Sequence, residues 1–316
     1  MASALPPHRL QESVTRATGD DPGGYDSPPA PELYWGGPLR GGKERYGRTG
    51  FPLDLGRVAR YVAVGDSISE GMEDPRPAGR MIGWADRLAV ELSVARQGAG
   101  GSPLHYANFA IRGRLLGDIL GPQLEEALAL SPDLISIWGG GNDVMRLHTD
   151  VRALLQLLDR AVARARETGA EVLTATFVDC SESPLLKAIN PRILEFNEGV
   201  RAIAERRGSR VIDQFRIPSL KDWNSWAPDH IHLSPSGHKI VTQAALEALG
   251  LPTDRSQWAP RPANAVTRLT FAQNVQWFKR DVLPWVGRHL QNRSTGDGME
   301  PKFAQYTEVR GPQFLS

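Results

Sequence analysis

The feature that most constrains the fold of this chain is an alternation of two hydrophobic patterns between residues 57 and 250. Short apolar runs rich in β-branched residues, typical of buried strands, are separated by longer segments whose apolar residues have helical spacing. Parallel strands need a crossover of a dozen or more residues, usually a helix. The alternation therefore predicts an α/β fold in which helices cover both faces of a parallel sheet.

The patterns also give approximate positions for these elements. Strands are predicted at 61–64, 105–109, 134–138, 171–177 and 210–215, with helices at 84–94, 115–130, 151–167 and 193–206. Ser234-Pro235, a capping residue followed by proline, predicts the start of a last helix that ends near Gly250. The expected sheet has five parallel strands.

Composition divides the chain into three parts. Residues 1–55 are rich in proline, glycine and charge and have little periodic apolar surface, so we expect an extended or partly disordered arm. Residues 56–250 form the α/β domain. Residues 251–316 comprise a linker, an amphipathic helical extension and a tail after Gln291 that we expect to be disordered.

The amphipathic stretch at 267–290 is divided by Pro284 and has three interpretations. It packs on the domain, forms a homodimer contact, or lies at a membrane interface through its Trp and Arg residues. Stable insertion into a membrane is not expected, because no apolar run reaches the ~18 residues of a membrane span.

Net charge, cysteine content and the first residues of the chain limit the partner, the disulfides and the location that we expect. The net charge of +1 gives no electrostatic reason to expect nucleic acid as a partner. Cys180 is the only cysteine, which rules out an internal disulfide, and we expect it to be a small buried hydrophobe. Residues 1–21 lack the apolar core of a secretory signal, so a cytoplasmic location is predicted.

Residues with candidate roles in catalysis follow the predicted strands, at the edge where parallel sheets bind ligands. Ser67 follows the first strand, Gly113 the second and Asn142 the third, and Asp229-His230-Ile231-His232 lies just before the last helix. A serine hydroxyl becomes an effective nucleophile when a base lies within reach, a third group orients that base, and donors meet the developing oxyanion. These segments supply candidates for each role.

Asp229 and His232 are three residues apart, so both side chains can lie on one side of a helical or tight turn. The carboxylate can then accept a hydrogen bond from Nδ1 and leave Nε2 to face Ser67. His230 is a second candidate base, but the spacing favours His232. The same residues could be metal ligands, although a triad explains them better. We predict neither a metal nor a cofactor, and His238 is expected to pack in the last helix.

Four blocks resemble the signature of a known family. They are Gly65-Asp66-Ser67-Ile68, Asn108 to Gly113, Gly140-Gly141-Asn142-Asp143 and Asp229-His230-Ile231-His232. In order and placement they are similar to the four blocks of the SGNH hydrolases, also called GDSL esterases and lipases, and the resemblance covers residues 58–250. It implies the SGNH hydrolase fold, a flavodoxin-like three-layer α/β/α sandwich.

The resemblance also implies a role for each residue. Ser67 would be the nucleophile, His232 the general base and acid, and Asp229 the residue that orients His232. The oxyanion hole would consist of the Ser67 and Gly113 N–H groups and the Asn142 side-chain amide. Two positions depart from the pattern: Leu233 follows His232 where proline is common, and His230 stands where a small residue is common.

Substrate contacts are less specific. Arg112 is a candidate for binding an anionic group on the substrate, although surface exposure explains it better. Trp138 and Trp226 are candidates for an apolar wall, and packing explains them at least equally well. No long insertion resembles a lid, which favours small or short-chain carboxylic esters, including O-acetyl esters. The alternatives are a lysophospholipase, thioesterase or acyltransferase with the same triad, and a non-catalytic module that binds a glycan or acyl ligand.

Overall fold

The computed structural model describes residues 51–76, 79–181, 186–258, 276 and 295–316, and every structural statement below concerns these residues. Most of the arm predicted at 1–55 lies outside them. So does the stretch at 267–290 apart from residue 276, together with the dimer contact predicted there. The last residues of the arm lie against the domain: Leu53 is buried, and its N–H donates to the Leu249 carbonyl at 2.8 Å.

The described chain alternates strands and helices as predicted. The strands are β1 (Arg60–Gly65), β2 (Leu104–Asn108), β3 (Leu134–Trp138), β4 (Glu171–Ala175), β5 (Arg210–Ile212) and β6 (Phe303–Val309). The helices are α1 (Ser67–Glu70), α2 (Trp84–Gly98), α3 (Leu116–Asp118), α4 (Leu124–Ala129), α5 (Gly141–Val144), α6 (Val151–Glu167), α7 (Asn190–Arg207) and α8 (Pro235–Ala248). A π-helical turn, Ile119–Gln123, joins α3 to α4, and short 3₁₀ turns lie at Lys187–Ile189, Gln214–Arg216, Pro218–Lys221, Trp223–Ser225 and Pro312–Leu315.

The sheet has the strand order β5-β4-β3-β1-β2-β6. The predicted parallel strands β1 to β5 are all present, and β1 pairs with both β2 and β3. The chain therefore leaves β1 toward one side of the sheet and returns on its other side. Such a reversal of strand order opens a crevice at the carboxyl ends of the strands, where α/β proteins bind ligands.

Alternating side chains of β1 build two cores, one on each face of the sheet. Tyr61 and Ala63 pack with the apolar faces of α2 and α8. Val62 and Val64 pack on the opposite face with α4, α6 and α7. The period-two alternation of a strand thus produces the predicted three-layer α/β/α arrangement. No helix in the described part of the chain is long and apolar enough to cross a membrane.

The tail contributes a sixth strand, β6, which pairs antiparallel with the outer edge of β2. The prediction that residues after Gln291 are disordered was therefore wrong for this segment. Most of its residues are partly or fully exposed, and only Val309 is buried. Such an edge strand has a weak apolar pattern, because pairing with an existing sheet stabilises it more than its own side chains do.

Candidate active site

The turn after β1 places Ser67 at the crevice between β1 and β3. Asp66 caps α1 by accepting a hydrogen bond from the Ile68 N–H at 3.1 Å, so Ser67 becomes the first residue of the helix. The end of β1 is held by Gln123, whose side-chain oxygen accepts from the Gly65 N–H at 3.0 Å. Gln123 lies in the π-helical turn, a feature that the sequence pattern did not indicate.

A hairpin-like turn before α8 carries Asp229 and His232. Its two sides are joined by an isolated bridge between Trp226 and Leu233, and the Ala227 N–H donates to the His232 carbonyl at 2.8 Å. His230 lies at the tip with a φ of 53°, in the left-handed region. Of the two arrangements that the spacing allowed, the chain adopts the tight turn.

This turn links Asp229, His232 and Ser67 by hydrogen bonds. Asp229 Oδ2 lies 2.5 Å from His232 Nδ1, and His232 Nε2 lies 2.9 Å from Ser67 Oγ. The other carboxylate oxygen, Oδ1, accepts from the N–H groups of Ile231 and His232, both at 3.0 Å. An ionised Asp229 fixes the tautomer with a proton on Nδ1, which leaves Nε2 to accept from the Ser67 hydroxyl.

The environment of Asp229 favours its ionised form. Burial opposes ionisation, but the hydrogen bond from the His232 side chain and electrostatic attraction to its ring hold the pKa of Asp229 below its usual value. Hydrogen bonds from the backbone N–H groups of His232 and Ile231 also lower the pKa of Asp229.

The other two histidines make different contacts. The ring of His230 packs edge-to-face against Trp223, with 4.4 Å between centroids. His238 is fully buried in α8, where Nδ1 accepts from the Trp84 N–H and Nε2 donates to the Met72 carbonyl. Burial lowers the pKa of His238 to about 4, so it is a neutral packing residue, as expected. Among the described residues, no cluster of three or more His, Cys, Asp or Glu side chains could hold a metal ion.

The three candidate oxyanion donors lie just beyond the carboxyl ends of three neighbouring strands, β1, β2 and β3. The loop after β2 is attached to the end of β1 by a hydrogen bond from Ile111 N–H to the Gly65 carbonyl at 3.2 Å, and Gly113 follows with a φ of 74° that favours glycine. Asn142 lies in α5 after β3, and its amide donates to the Arg114 carbonyl at 3.0 Å. Within the described chain, neither the Ser67 N–H nor the Gly113 N–H donates to a protein acceptor.

Two buried aspartates support these loops. Asp143 accepts from the Leu116 N–H at 2.9 Å and so ties α5 to the segment that follows Gly113. Burial raises the pKa of Asp143 to about 6, and it has the same effect on Asp66. Their contacts are to backbone groups that shape the turns rather than to Ser67.

The three predicted substrate contacts have protein partners. The Arg112 guanidinium pairs with Glu70, a residue that sequence reasoning missed although it lies one turn after Ser67 on α1. Trp138 is in the core with its ring 5.3 Å from that of Trp84. Trp226 is partly buried and donates from its indole N–H to the Leu220 carbonyl at 2.8 Å. A role for these residues in binding substrate stays a prediction.

Comparison with known proteins identifies the family of this chain. The sequence profile of the GDSL-like lipase/acylhydrolase family matches residues 63–240, more than half of the chain. The chain belongs to this family. It is accordingly a serine esterase, a hydrolase of carboxylic esters.

Individual relatives are distant in sequence. The acetylxylan esterase of Geobacillus stearothermophilus is 24% identical over 232 residues, which span 65% of this chain and 100% of that protein. A crystal structure of an acetylxylan esterase from the same organism aligns with a TM-score of 0.52 at 22% identity, covering 65% of this chain and 100% of that esterase. An α/β hydrolase enzyme from the metagenome of Lake Arreo, Spain, also aligns with a TM-score of 0.52, at 23% identity, and covers 63% and 97% of the two chains. These structural similarities confirm the predicted SGNH hydrolase fold.

Proposed function

We propose that this protein hydrolyses small acyl esters, O-acetyl esters in particular, through an acyl-enzyme on Ser67. The observation that carries the proposal is the hydrogen-bond chain from Asp229 through His232 to Ser67, with distances of 2.5 and 2.9 Å. The similarity to an acetylxylan esterase supports acetyl as the acyl group. A cytoplasmic location stays a prediction of the sequence.

In the first half of the reaction, Ser67 Oγ bonds to the ester carbonyl carbon while His232 Nε2 takes the hydroxyl proton. The carbonyl electron pair moves onto oxygen, which the Ser67 and Gly113 N–H groups and the Asn142 amide stabilise. Asn142 uses one amide hydrogen for the Arg114 carbonyl, and its second hydrogen is available to the oxyanion. Asp229 stabilises the imidazolium that forms on His232.

The tetrahedral intermediate then collapses to the acyl-enzyme. The electron pair returns to the carbonyl, the ester C–O bond breaks, and His232 gives its proton to the leaving alkoxide. A water molecule attacks the acyl carbon as His232 takes its proton, and a second collapse releases the acid and returns the proton to Ser67. An acceptor alcohol in place of water would make the same site an acyltransferase.

The test is a panel of nitrophenyl esters from acetate to palmitate, measured with the wild type and Ser67→Ala. We expect the highest kcat/KM for acetate, and a loss of about 1,000-fold or more in Ser67→Ala. His232→Ala should lose activity to a similar extent, whereas the matched His230→Ala variant should retain most of it.

Other outcomes contradict parts of the proposal. Unchanged turnover in Ser67→Ala would exclude the acyl-enzyme, and loss of activity in His230→Ala alone would exclude His232 as the base. A preference for palmitate would favour the lipase or lysophospholipase alternative over an acetyl esterase. Acetate release from acetylated xylan then tests whether the enzyme hydrolyses O-acetyl esters of a polysaccharide.

A further inference from the structure

The direction of the Gly113 N–H is set by a single peptide unit. This N–H and the Arg112 carbonyl belong to the same planar trans peptide and point in opposite directions. A contact to the Arg112 carbonyl therefore acts directly on the donor of Gly113, whereas a contact to the Arg112 N–H or side chain acts on it through the backbone dihedrals of Arg112. The structure shows two contacts to Arg112 that come from outside its own loop.

The first contact comes from Glu70, the last residue of α1. One carboxylate oxygen accepts from the Arg112 N–H at 2.7 Å, and Arg112 Nε lies 2.9 and 3.0 Å from the two carboxylate oxygens. The Glu70 side chain is only 10% exposed, so solvent screens this charged pair weakly. Because α1 begins at Ser67, one short helix carries the nucleophile and also holds the loop with the oxyanion donor.

The second contact comes from Gly296, at the beginning of the described tail. A Cβ on this residue would lie 2.2 Å from the Arg112 carbonyl oxygen and 2.6 Å from Ile111 Cγ2. Gly296 is buried between exposed neighbours, and its φ lies outside the left-handed region. Close approach, and not backbone conformation, therefore requires glycine here.

The tail is attached to the same helix a few residues later. The Lys302 ammonium donates to the Glu70 carbonyl at 2.6 Å, so the tail contacts both Glu70 and Arg112. Asp297 lies 3.9 Å from the Arg114 guanidinium, on the other side of Gly113. The tail thus packs along the loop that carries the candidate oxyanion donor.

We propose that Glu70 and Gly296 are positioning residues that keep the Arg112–Gly113 peptide oriented with its N–H toward the oxyanion. Glu70 holds the N–H side of Arg112, and Gly296 allows the tail to pack against its carbonyl. The C-terminal tail then helps to position the oxyanion donor. This inference rests on the proposed esterase function of Ser67.

The test measures kcat and KM for nitrophenyl acetate in Gly296→Ala, with thermal unfolding as a check of folding. The added methyl group pushes the Arg112 carbonyl and tilts the peptide, so kcat should fall about 10- to 100-fold while KM stays nearly constant, since loss of a whole oxyanion donor costs about 100- to 1,000-fold. Gly98→Ala is the matched control, because its methyl group would meet no atom within 4 Å.

A second readout separates positioning from loss of folding. Phenylboronic acid adds to a serine hydroxyl and forms a tetrahedral adduct that resembles the intermediate. Its affinity should weaken in parallel with kcat in Gly296→Ala. Glu70→Gln, which keeps an acceptor for the Arg112 N–H, should lose less activity than Glu70→Ala. If Gly296→Ala does not fold, these two variants test the positioning role.

The outcomes distinguish this inference from the proposed function. Wild-type kcat and boronate affinity in folded Gly296→Ala and Glu70→Ala, with Ser67→Ala inactive, would overturn only the positioning role. Equal losses in Glu70→Gln and Glu70→Ala would also contradict it. Full turnover in Ser67→Ala would overturn the proposed function and this inference with it.

Discussion

Asp66 lies between β1 and the candidate nucleophile, and its carboxylate begins the helix α1. It is only 5% exposed, and burial raises its pKa from 3.8 to about 6. The folded protein therefore binds a proton at Asp66 more readily than the unfolded chain does. Above pH 6 the residue is ionised in both states, but the folded state solvates that charge less well.

This environment predicts a pH-dependent effect of Asp66→Asn on stability. As pH rises from about 4 to about 6, ionisation of Asp66 lowers the free energy of unfolding of the wild type, by about 1.4 kcal/mol for each unit of pKa shift. Asparagine stays neutral and keeps an oxygen for the Ile68 N–H. The variant should therefore have a Tm a few degrees above that of the wild type at pH 7.5.

The difference in Tm should close as the pH falls below about 4, because both states of the wild type are then protonated at Asp66. Asp143 has a similar pKa but is present in both proteins, so the comparison isolates Asp66. An equal shift in Tm at pH 4 and pH 7.5 would contradict the explanation. Thermal unfolding over this pH range is the measurement.

At the scale of single residues, the sequence identified candidate catalytic residues but could not show which of them come into contact. Ser67 and His232 are 165 residues apart, and their proximity depends on the turn before α8. The spacing from Asp229 favoured His232 over His230, and the structure brings His232 to Ser67. The Glu70–Arg112 pair could not be predicted, because an ion pair between a helix and a distant loop leaves no local pattern.

At the scale of elements, a buried ion pair joins the tail to α2. Lys302 lies 2.6 Å from Asp86, which is fully buried and also caps α2 by accepting from the Gly83 N–H at 2.6 Å. Removing one partner of a buried pair leaves an uncompensated charge. This pair therefore connects the stability of the sheet edge to that of α2.

Lys302→Met should lower the free energy of unfolding by about 3–5 kcal/mol, because Asp86 loses its counter-charge. Adding Asp86→Asn should recover part of this loss. Arg310→Met is the matched control in the same tail: its partner Glu308 is exposed, so the expected change is below about 1 kcal/mol. Urea unfolding measures all four proteins, and equal effects of Lys302→Met and Arg310→Met would contradict the prediction.

For the whole molecule, β6 covers an edge of the sheet that would otherwise be open. Tyr106 in β2 is fully buried, and its ring lies 6.0 Å from that of Phe303 and 6.2 Å from that of Phe314. An uncovered edge strand with exposed aromatic surface is a site for association with other chains. The tail thus stabilises the fold and protects its edge.

Deletion of residues 303–316 should lower Tm and cause self-association through the exposed edge of β2. A shorter deletion of residues 310–316 retains β6 and is the control, with a smaller decrease in Tm and no change in molecular mass. Thermal unfolding and light scattering measure the two effects. If the longer deletion gave a monomer with the Tm of the full chain, β6 would not contribute to the stability of the sheet.

The sequence by itself determined the alternation of strands and helices and the position of polar groups after β1, β2 and β3. Both follow from local rules: side-chain periodicity reports which faces are buried, and the carboxyl ends of parallel strands share one edge. The tertiary structure alone decided the pairing of β6 with β2, the approach of Gly296 to Arg112 and the contact of His232 with Ser67. These contacts join segments far apart in the chain, and their stability comes from surfaces that exist only once the sheet has formed.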